Sequence, residues 1–312
     1  MNETVIPERS FRAVTEEARQ SGGFCHELAH HALAYLPQGG AEGRHLVVSF
    51  GNLTTSQTGG EQHPWGQHLL QGQGWSVLGV INNRNDWYRD AELIAALETL
   101  RDEGFFKRFD RVSFYGASMG GFGALTFSRL APGAHVVAFA PQSTLDPSRV
   151  PFEDRYAAAA LKGDWSLPYG DAAYSTRDLA SAEIFYDPFI AQDKAHAERL
   201  TAPQVRFHQL RHFGHKLPFV LLKLRLLKEV SLHALTGDLS DRWLARALRV
   251  RHQYVYYTTL MLTNAHARGH DALAMRGTDL ALRQTDHWKL RKLRKSLRTT
   301  TGDSEARVAT RP

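Results

Sequence analysis

Cysteine is nearly absent from this chain: Cys25 stands alone among 312 residues. Its solitude excludes an intrachain disulfide and a thiolate-rich zinc site, and it suits a reducing compartment. Long apolar runs are missing too. A membrane-spanning helix needs roughly 18–20 apolar residues, and the nearest candidate, Leu217 to Val230, is broken by Lys223, Arg225 and Lys228. The first twenty residues are polar and acidic, without the apolar stretch of a secretory signal. Twenty-five Gly and 12 Pro follow no G-X-Y period, which excludes collagen. Hydrophobic residues at 43% and charged residues at 22% exclude a wholly disordered chain. A globular, cytoplasmic protein that is not transmembrane is the expectation.

Acidic residues are scarce in one part only. Residues 205–312 carry 21 Lys and Arg against 8 Asp and Glu, whereas residues 1–204 carry 17 against 24. Such asymmetry points to an acidic body joined to a basic region with its own partner, or simply to Arg-rich helix surfaces.

Periodicity supplies the elements. Residues 11–36 read as helical, split by Ser21-Gly22-Gly23. Six short β-rich runs follow: His45 to Phe50, Trp75 to Val80, Arg111 to Tyr115, His135 to Ala140, Glu183 to Tyr186 and Gln204 to Leu210. Helical patterns separate most of them, including Asp86 to Leu100, Gly120 to Leu130, and Asp193 to Leu200 with Asp193 as N-cap. Alternation of this kind predicts βαβ units and a mostly parallel sheet of about six strands covered on both faces. Residues 145–181 interrupt it as an aromatic-dotted insertion. After residue 217 only helices are expected, and Tyr257, Leu260, Ala265, Gly269, Ala274 and Ala281 are spaced somewhat like a tetratricopeptide hairpin. The expected organisation is a catalytic domain over 1–235, a helical extension over 236–298 and a disordered tail over 299–312.

Chemistry concentrates at Gly116-Ala117-Ser118-Met119-Gly120, which fits G-x-S-x-G between an expected strand and an expected helix. A serine hydroxyl is a poor nucleophile unless it is held out of the backbone beside a base and near oxyanion donors. A tight strand-to-helix turn does this: the glycines tolerate the strained backbone, Ser118 projects above the sheet, and the Met119 amide becomes a donor at the helix start.

This stretch resembles the nucleophile elbow of the α/β-hydrolase superfamily, and the order of features from His45 to about Val230 resembles that fold's central sheet. The resemblance implies an acid after a later strand and a histidine after the last one. Asp187 follows Tyr186, and His215 ends Arg211-His-Phe-Gly-His215. Asp193 is the rival acid, with Asp187 preferred; His208 and His212 are rivals to His215. The resemblance also implies a second oxyanion amide after the first parallel strand, at Asn52 or Leu53. Family members often open with an antiparallel hairpin, which the helical reading of residues 1–40 does not provide. Many also carry a lid where the insertion falls, and Trp165, Tyr169 and Tyr174 either line a pocket there or pack the insertion onto the body.

A competing pattern is His26-Glu27-Leu28-Ala29-His30, which fits H-E-x-x-H. On a helix it would set two imidazoles one turn apart beside a zinc ion, but the nearest downstream glutamates, Glu42 and Glu61, lie in Gly-rich loop rather than on a second helix. The alternative is an ordinary helix burying Leu28, Ala32 and Leu33.

Near the C-terminus, Trp288 to Arg298 holds six basic residues and no acidic one, with Leu290, Leu293 and Leu297 at helical spacing. Such a helix either meets an acidic partner or anionic surface, or docks its leucines on the preceding hairpin. No base-reading module is present, so sequence-specific nucleic-acid binding is not expected. The functional expectation is a serine hydrolase cleaving a carboxylic ester, of a small molecule or a glycan, through Ser118, Asp187 and His215. It needs no cofactor and no metal. Acyl transfer or carbohydrate O-deacetylation by the same residues is one alternative; a non-catalytic interaction protein on the same scaffold is the other.

Overall fold

All six expected strands are present, and two more precede them. The computed structural model describes residues 11–52 and 62–309, with side chains as far as Thr299. Helix α1 (Arg12–Gln20) ends at Ser21, and Gly22, with φ 76°, turns the chain back. Strands β1 (Phe24–Glu27) and β2 (His31–Leu36) then form an antiparallel hairpin where a second helical piece was expected. The reason is burial on both sides. His31-Ala-Leu-Ala-Tyr-Leu36 is buried almost throughout, so it lacks the alternation that marks a half-exposed strand.

β3 (His45–Phe50) follows, then α2 (Gln67–Gln71), β4 (Ser76–Asn82), α3 (Ala91–Asp102), β5 (Arg111–Ala117), α4 (Met119–Phe127) and β6 (His135–Phe139). The insertion contributes only α5 (Ala157–Lys162) and short turns before β7 (Ser181–Tyr186), α6 (Ala191–Glu198) and β8 (Val205–Gln209). The sheet order is β1-β2-β4-β3-β5-β6-β7-β8. β2 runs antiparallel to both neighbours, and every pairing from β4 to β8 is parallel. This is the α/β-hydrolase-like arrangement, with eight strands rather than about six. Two cores cover its faces. One gathers Leu46, Val48, Phe50, Phe114, Phe122 and Phe127 under α3 and α4. The other gathers Val47, Tyr115, Phe139, Phe185, Leu217 and Val230 under the helices that follow β8.

Those helices are α7 (Leu217–Lys223), α8 (Leu227–Thr236), α9 (Asp241–Ala247), α10 (Val255–Ala267), α11 (Asp271–Gln284) and α12 (Trp288–Ala309). Helix α12 covers most of the segment read as tail. Leu290, Leu293 and Leu297 are buried with Leu262 and Ala274 in a separate small core. The docking of the leucines on the preceding hairpin is therefore seen directly. Among the described residues no helix is long and apolar enough to cross a membrane.

Candidate active site

Ser118 sits where β5 gives way to α4, with φ 54° and ψ −118°. A side chain other than glycine is rarely held there, and the strain of about 1–3 kcal/mol must be met by the surroundings. The Ser118 amide donates to Phe139 O at 2.8 Å, pinning the turn to β6. Glycine is required on either side. A Cβ on Gly116 would lie 2.1 Å from Gly120 O, and one on Gly120 would lie 2.4 Å from Gly51 O. The two absences let α4 start directly against the ends of β5 and β3. The amide of Met119 heads that helix beside Ser118, and Asn52 follows Gly51 across the gap. Leu53, the other expected donor, lies outside the described residues.

The imidazole that meets the hydroxyl belongs to His215. Its Nε2 is 2.9 Å from Ser118 Oγ, across 97 residues of sequence. Gly214, with φ 70°, swings the loop after β8 inward so that this ring can reach the turn. The rival histidines are occupied elsewhere. His208 bonds Glu183 within the sheet, while His212 stacks on Phe189 with its Nδ1 3.0 Å from Asn264 Nδ2.

The carboxylate behind His215 is that of Asp193, which corrects the preference for Asp187. Both Asp193 oxygens lie 2.9 Å from His215 Nδ1. Asp187 is turned to the backbone: it accepts from Phe189 N at 3.0 Å and from Gly214 N at 2.7 Å. Chain geometry explains the exchange. Asp187 closes a turn immediately after β7 and reaches only the backbone of the histidine loop, and the chain enters the first turn of α6 before a carboxylate meets the His215 ring. The N-cap of α6 is Ile190 rather than Asp193, so the Asp193 side chain is not spent on capping. A carboxylate at Nδ1 fixes the tautomer with the proton on Nδ1, leaving Nε2 to accept from Ser118.

Sequence reasoning missed the residues that the insertion brings over this group. Arg155 Nη1 donates to Asp193 Oδ1 at 2.7 Å, and the same guanidinium is bonded to Glu153. Glu153 in turn meets His196 Nε2 at 3.1 Å, and His196 Nδ1 lies 2.9 Å from Ser143 Oγ. Burial works to raise the Glu153 pKa, but the bonds from His196 and Arg155 prevail and hold it at about 2. Burial likewise lowers His196 despite its glutamate partner. Tyr156 places its hydroxyl 3.1 Å from His215 Nε2, and burial raises its pKa. Trp87 meets Tyr156 in a tilted ring contact and donates to Gln142 Oε1 at 3.0 Å, while Gln142 Nε2 is 3.4 Å from Ser118 Oγ. No spacing rule marks Arg155 or Tyr156 in advance, because their partners are 38 and 59 residues away.

Of the two alternatives for the insertion's aromatics, Trp165 and Tyr169 take the packing one. Trp165 sits edge-on to Phe122, Tyr169 stacks on Phe127, and Tyr174 lies exposed under Arg149. The H-E-x-x-H pattern is also resolved: His26 and Glu27 lie on strand β1 rather than on a helix, so the one-turn spacing of two imidazoles does not arise. A cleft of about 690 Å³ lined by Arg101, Arg111, Arg129 and His135 opens at the start of β5 and β6, the end of these strands remote from Ser118.

A serine hydroxyl, an imidazole and a carboxylate in this relay, beside a helix N-terminus, can generate a nucleophile and bind a developing oxyanion. No protein-family model matches the chain, and no curated relative matches it. Among solved structures it is similar to the capsule O-acetyltransferase of Neisseria meningitidis serogroup A, at 12% identity and TM-score 0.44, over 66% of this chain and 94% of that one. It is also similar to a putative esterase from Staphylococcus aureus, at 13% identity and TM-score 0.44, over 67% of this chain and 81% of that one. An esterase of Pyrobaculum calidifontis shows 14% identity and TM-score 0.45, over 74% of this chain and 91% of that one.

Proposed function

We propose that this chain is a serine hydrolase that cleaves a carboxylic ester through an acyl-enzyme on Ser118. The observation that supports it is the unbroken relay from Ser118 Oγ to His215 Nε2 and from His215 Nδ1 to Asp193, each step 2.9 Å. In the first half-reaction His215 takes the Ser118 proton as Oγ attacks the ester carbonyl. The tetrahedral oxyanion is held by the Met119 amide at the head of α4, with the Asn52 amide as second donor. Collapse releases the alcohol, which leaves with the proton carried by His215. In the second half-reaction His215 deprotonates water as its oxygen bonds to the acyl carbon; the acyl–Oγ bond then breaks as His215 returns the proton to Ser118 Oγ, and the carboxylic acid departs. An alcohol in place of that water gives acyl transfer by the same steps. Asp193 holds the imidazole from its Nδ1 side and is itself bonded by the Arg155 guanidinium.

The test is labelling with a fluorophosphonate probe, followed by turnover of a p-nitrophenyl ester. Wild-type protein is expected to label, and Ser118→Ala to lose both labelling and turnover. Well-folded wild-type protein that takes up no probe would favour an interaction scaffold instead.

A further inference from the structure

We propose that the chain carries a divalent-metal site, separate from the Ser118 group, formed by His31, Asp86 and Asp90. One donor atom from each of these side chains lies within 4.8 Å of the other two. Three facts mark the cluster as more than an acidic surface. His31 is fully buried, and neither of its ring nitrogens has a hydrogen-bond partner. A buried imidazole left unpaired at both nitrogens is costly, and a metal ion is a partner that replaces a missing hydrogen bond. Asn82 is the register partner of His31 across β2 and β4, so its side chain shares that face, and its Oδ1 is likewise buried and unpartnered.

The geometry suits a zinc-class ion. Donors about 2.0–2.2 Å from a tetrahedral centre stand about 3.3–3.6 Å apart. His31 Nε2 is already 3.4 Å from Asp86 Oδ1 without making a hydrogen bond to it. A donor oxygen of Asp90 lies within 4.8 Å of both. Asp86 Oδ1, the oxygen that faces His31, also accepts from Tyr88 N, and Asp90 Oδ1 accepts from Leu93 N; a carboxylate oxygen can accept one backbone amide and still ligate an ion. Arg89, one of two cations of this loop with Arg84, gives its Nε and Nη2 to the carbonyls of Asp164, Leu167 and Pro168. An imidazole with two carboxylates selects a first-row divalent ion over calcium or magnesium, which favour all-oxygen sets.

The site would act on structure. It ties β2 to the loop between β4 and α3, where Trp87 and Tyr88 are held at φ 52° and 57°. Binding therefore braces the segment that aims Trp87 at Gln142 and the Tyr88 hydroxyl at Gly51 O.

The full chain, stripped by chelator and dialysed, is titrated with Zn²⁺ by calorimetry and thermal unfolding, and with Co²⁺ by its visible absorption. One ion per chain is expected, with a raised unfolding midpoint. Asp90→Asn keeps a competent N-cap for α3 but removes a charged ligand, so it should still fold, bind at least tenfold more weakly and lose the midpoint shift. His31→Gln should lose the stoichiometric site, and His26→Ala, on the neighbouring strand, should bind as wild type. Wild-type protein that takes up no stoichiometric ion overturns the proposal. So does an Asp90→Asn variant weakened less than tenfold, which decides the matter alone if His31→Gln fails to fold.

Discussion

At the scale of single residues, the two aspartates after β7 divide the work of holding one histidine. Asp193 touches the imidazole; Asp187 receives the Gly214 amide and so positions the loop that delivers it. Asp193→Asn should therefore lower kcat/KM on a p-nitrophenyl ester about 10³–10⁴-fold, because an amide at Nδ1 favours the wrong tautomer. Asp187→Asn retains an acceptor oxygen and should cost less than about tenfold in rate, with about 1–2 kcal/mol lost in urea unfolding. A larger rate loss for Asp187→Asn would return the proton-handling role to it. Ser118 was legible because its neighbours in sequence are its neighbours in space: the glycines that bound the turn are two residues away on each side. His215 was legible from its place after the last strand. The choice between Asp187 and Asp193 depends on how far α6 begins from the strand end, and a capping reading of Asp193 pointed the wrong way. Arg155 and Tyr156 were not legible, since the insertion that carries them has no period tying them to the sheet.

At the scale of elements, legibility follows the number of faces that each segment buries. The six strands from β3 to β8 are short β-rich runs closed by turn residues, and they were readable. β2 was not, because a strand buried on both faces has the same apolar run as a buried helix, and β1 was not, because its four half-buried to exposed residues carry no apolar alternation. Helix α12 is the opposite case: three leucines at helical spacing against a basic remainder read clearly, and all three are buried on α10 and α11. Each such side chain contributes about 1.5–3 kcal/mol on burial. A chain ending at Thr285 should consequently expose Leu262 and Ala274 and speed amide exchange in α11. Ester turnover should remain within about threefold of wild type. Helix α10 keeps its own anchors, because Tyr257 is buried in the main core and Asn264 bonds His212 in the histidine loop. Turnover that falls in step with the loss of protection in α11 would show that α12 braces the reacting group.

At the scale of the whole molecule, the two ends of the sheet carry different chemistry. Ser118, Asp187 and the histidine loop gather at the C-terminal ends of the strands, as expected of a parallel sheet. The opposite end holds a buried histidine, His45 at the start of β3, and a half-buried one, His135 at the start of β6, with Arg111 beside His45 in register. Burial first, and the Arg111 charge second, lower His45 to about 3 and His135 to about 4. An unfolded imidazole takes up its proton near pH 6.5, so the unfolded state binds more protons than the folded state below that point. Stability is thus complete above about pH 6.5 and falls as the pH drops from there toward 4. The expected loss is about 2 kcal/mol between pH 7 and 5, after discounting His135 for its partial exposure, and urea midpoints across that range measure it. His45→Gln keeps a polar group able to meet Ser113 Oγ, the present partner of His45 Nε2 at 2.8 Å, and removes the titration. It should flatten the slope without changing the pH profile of turnover, because folded His45 is neutral across that range and lies at the far end of the strands from Ser118. A variant as acid-sensitive as wild type would move the proton uptake to other histidines.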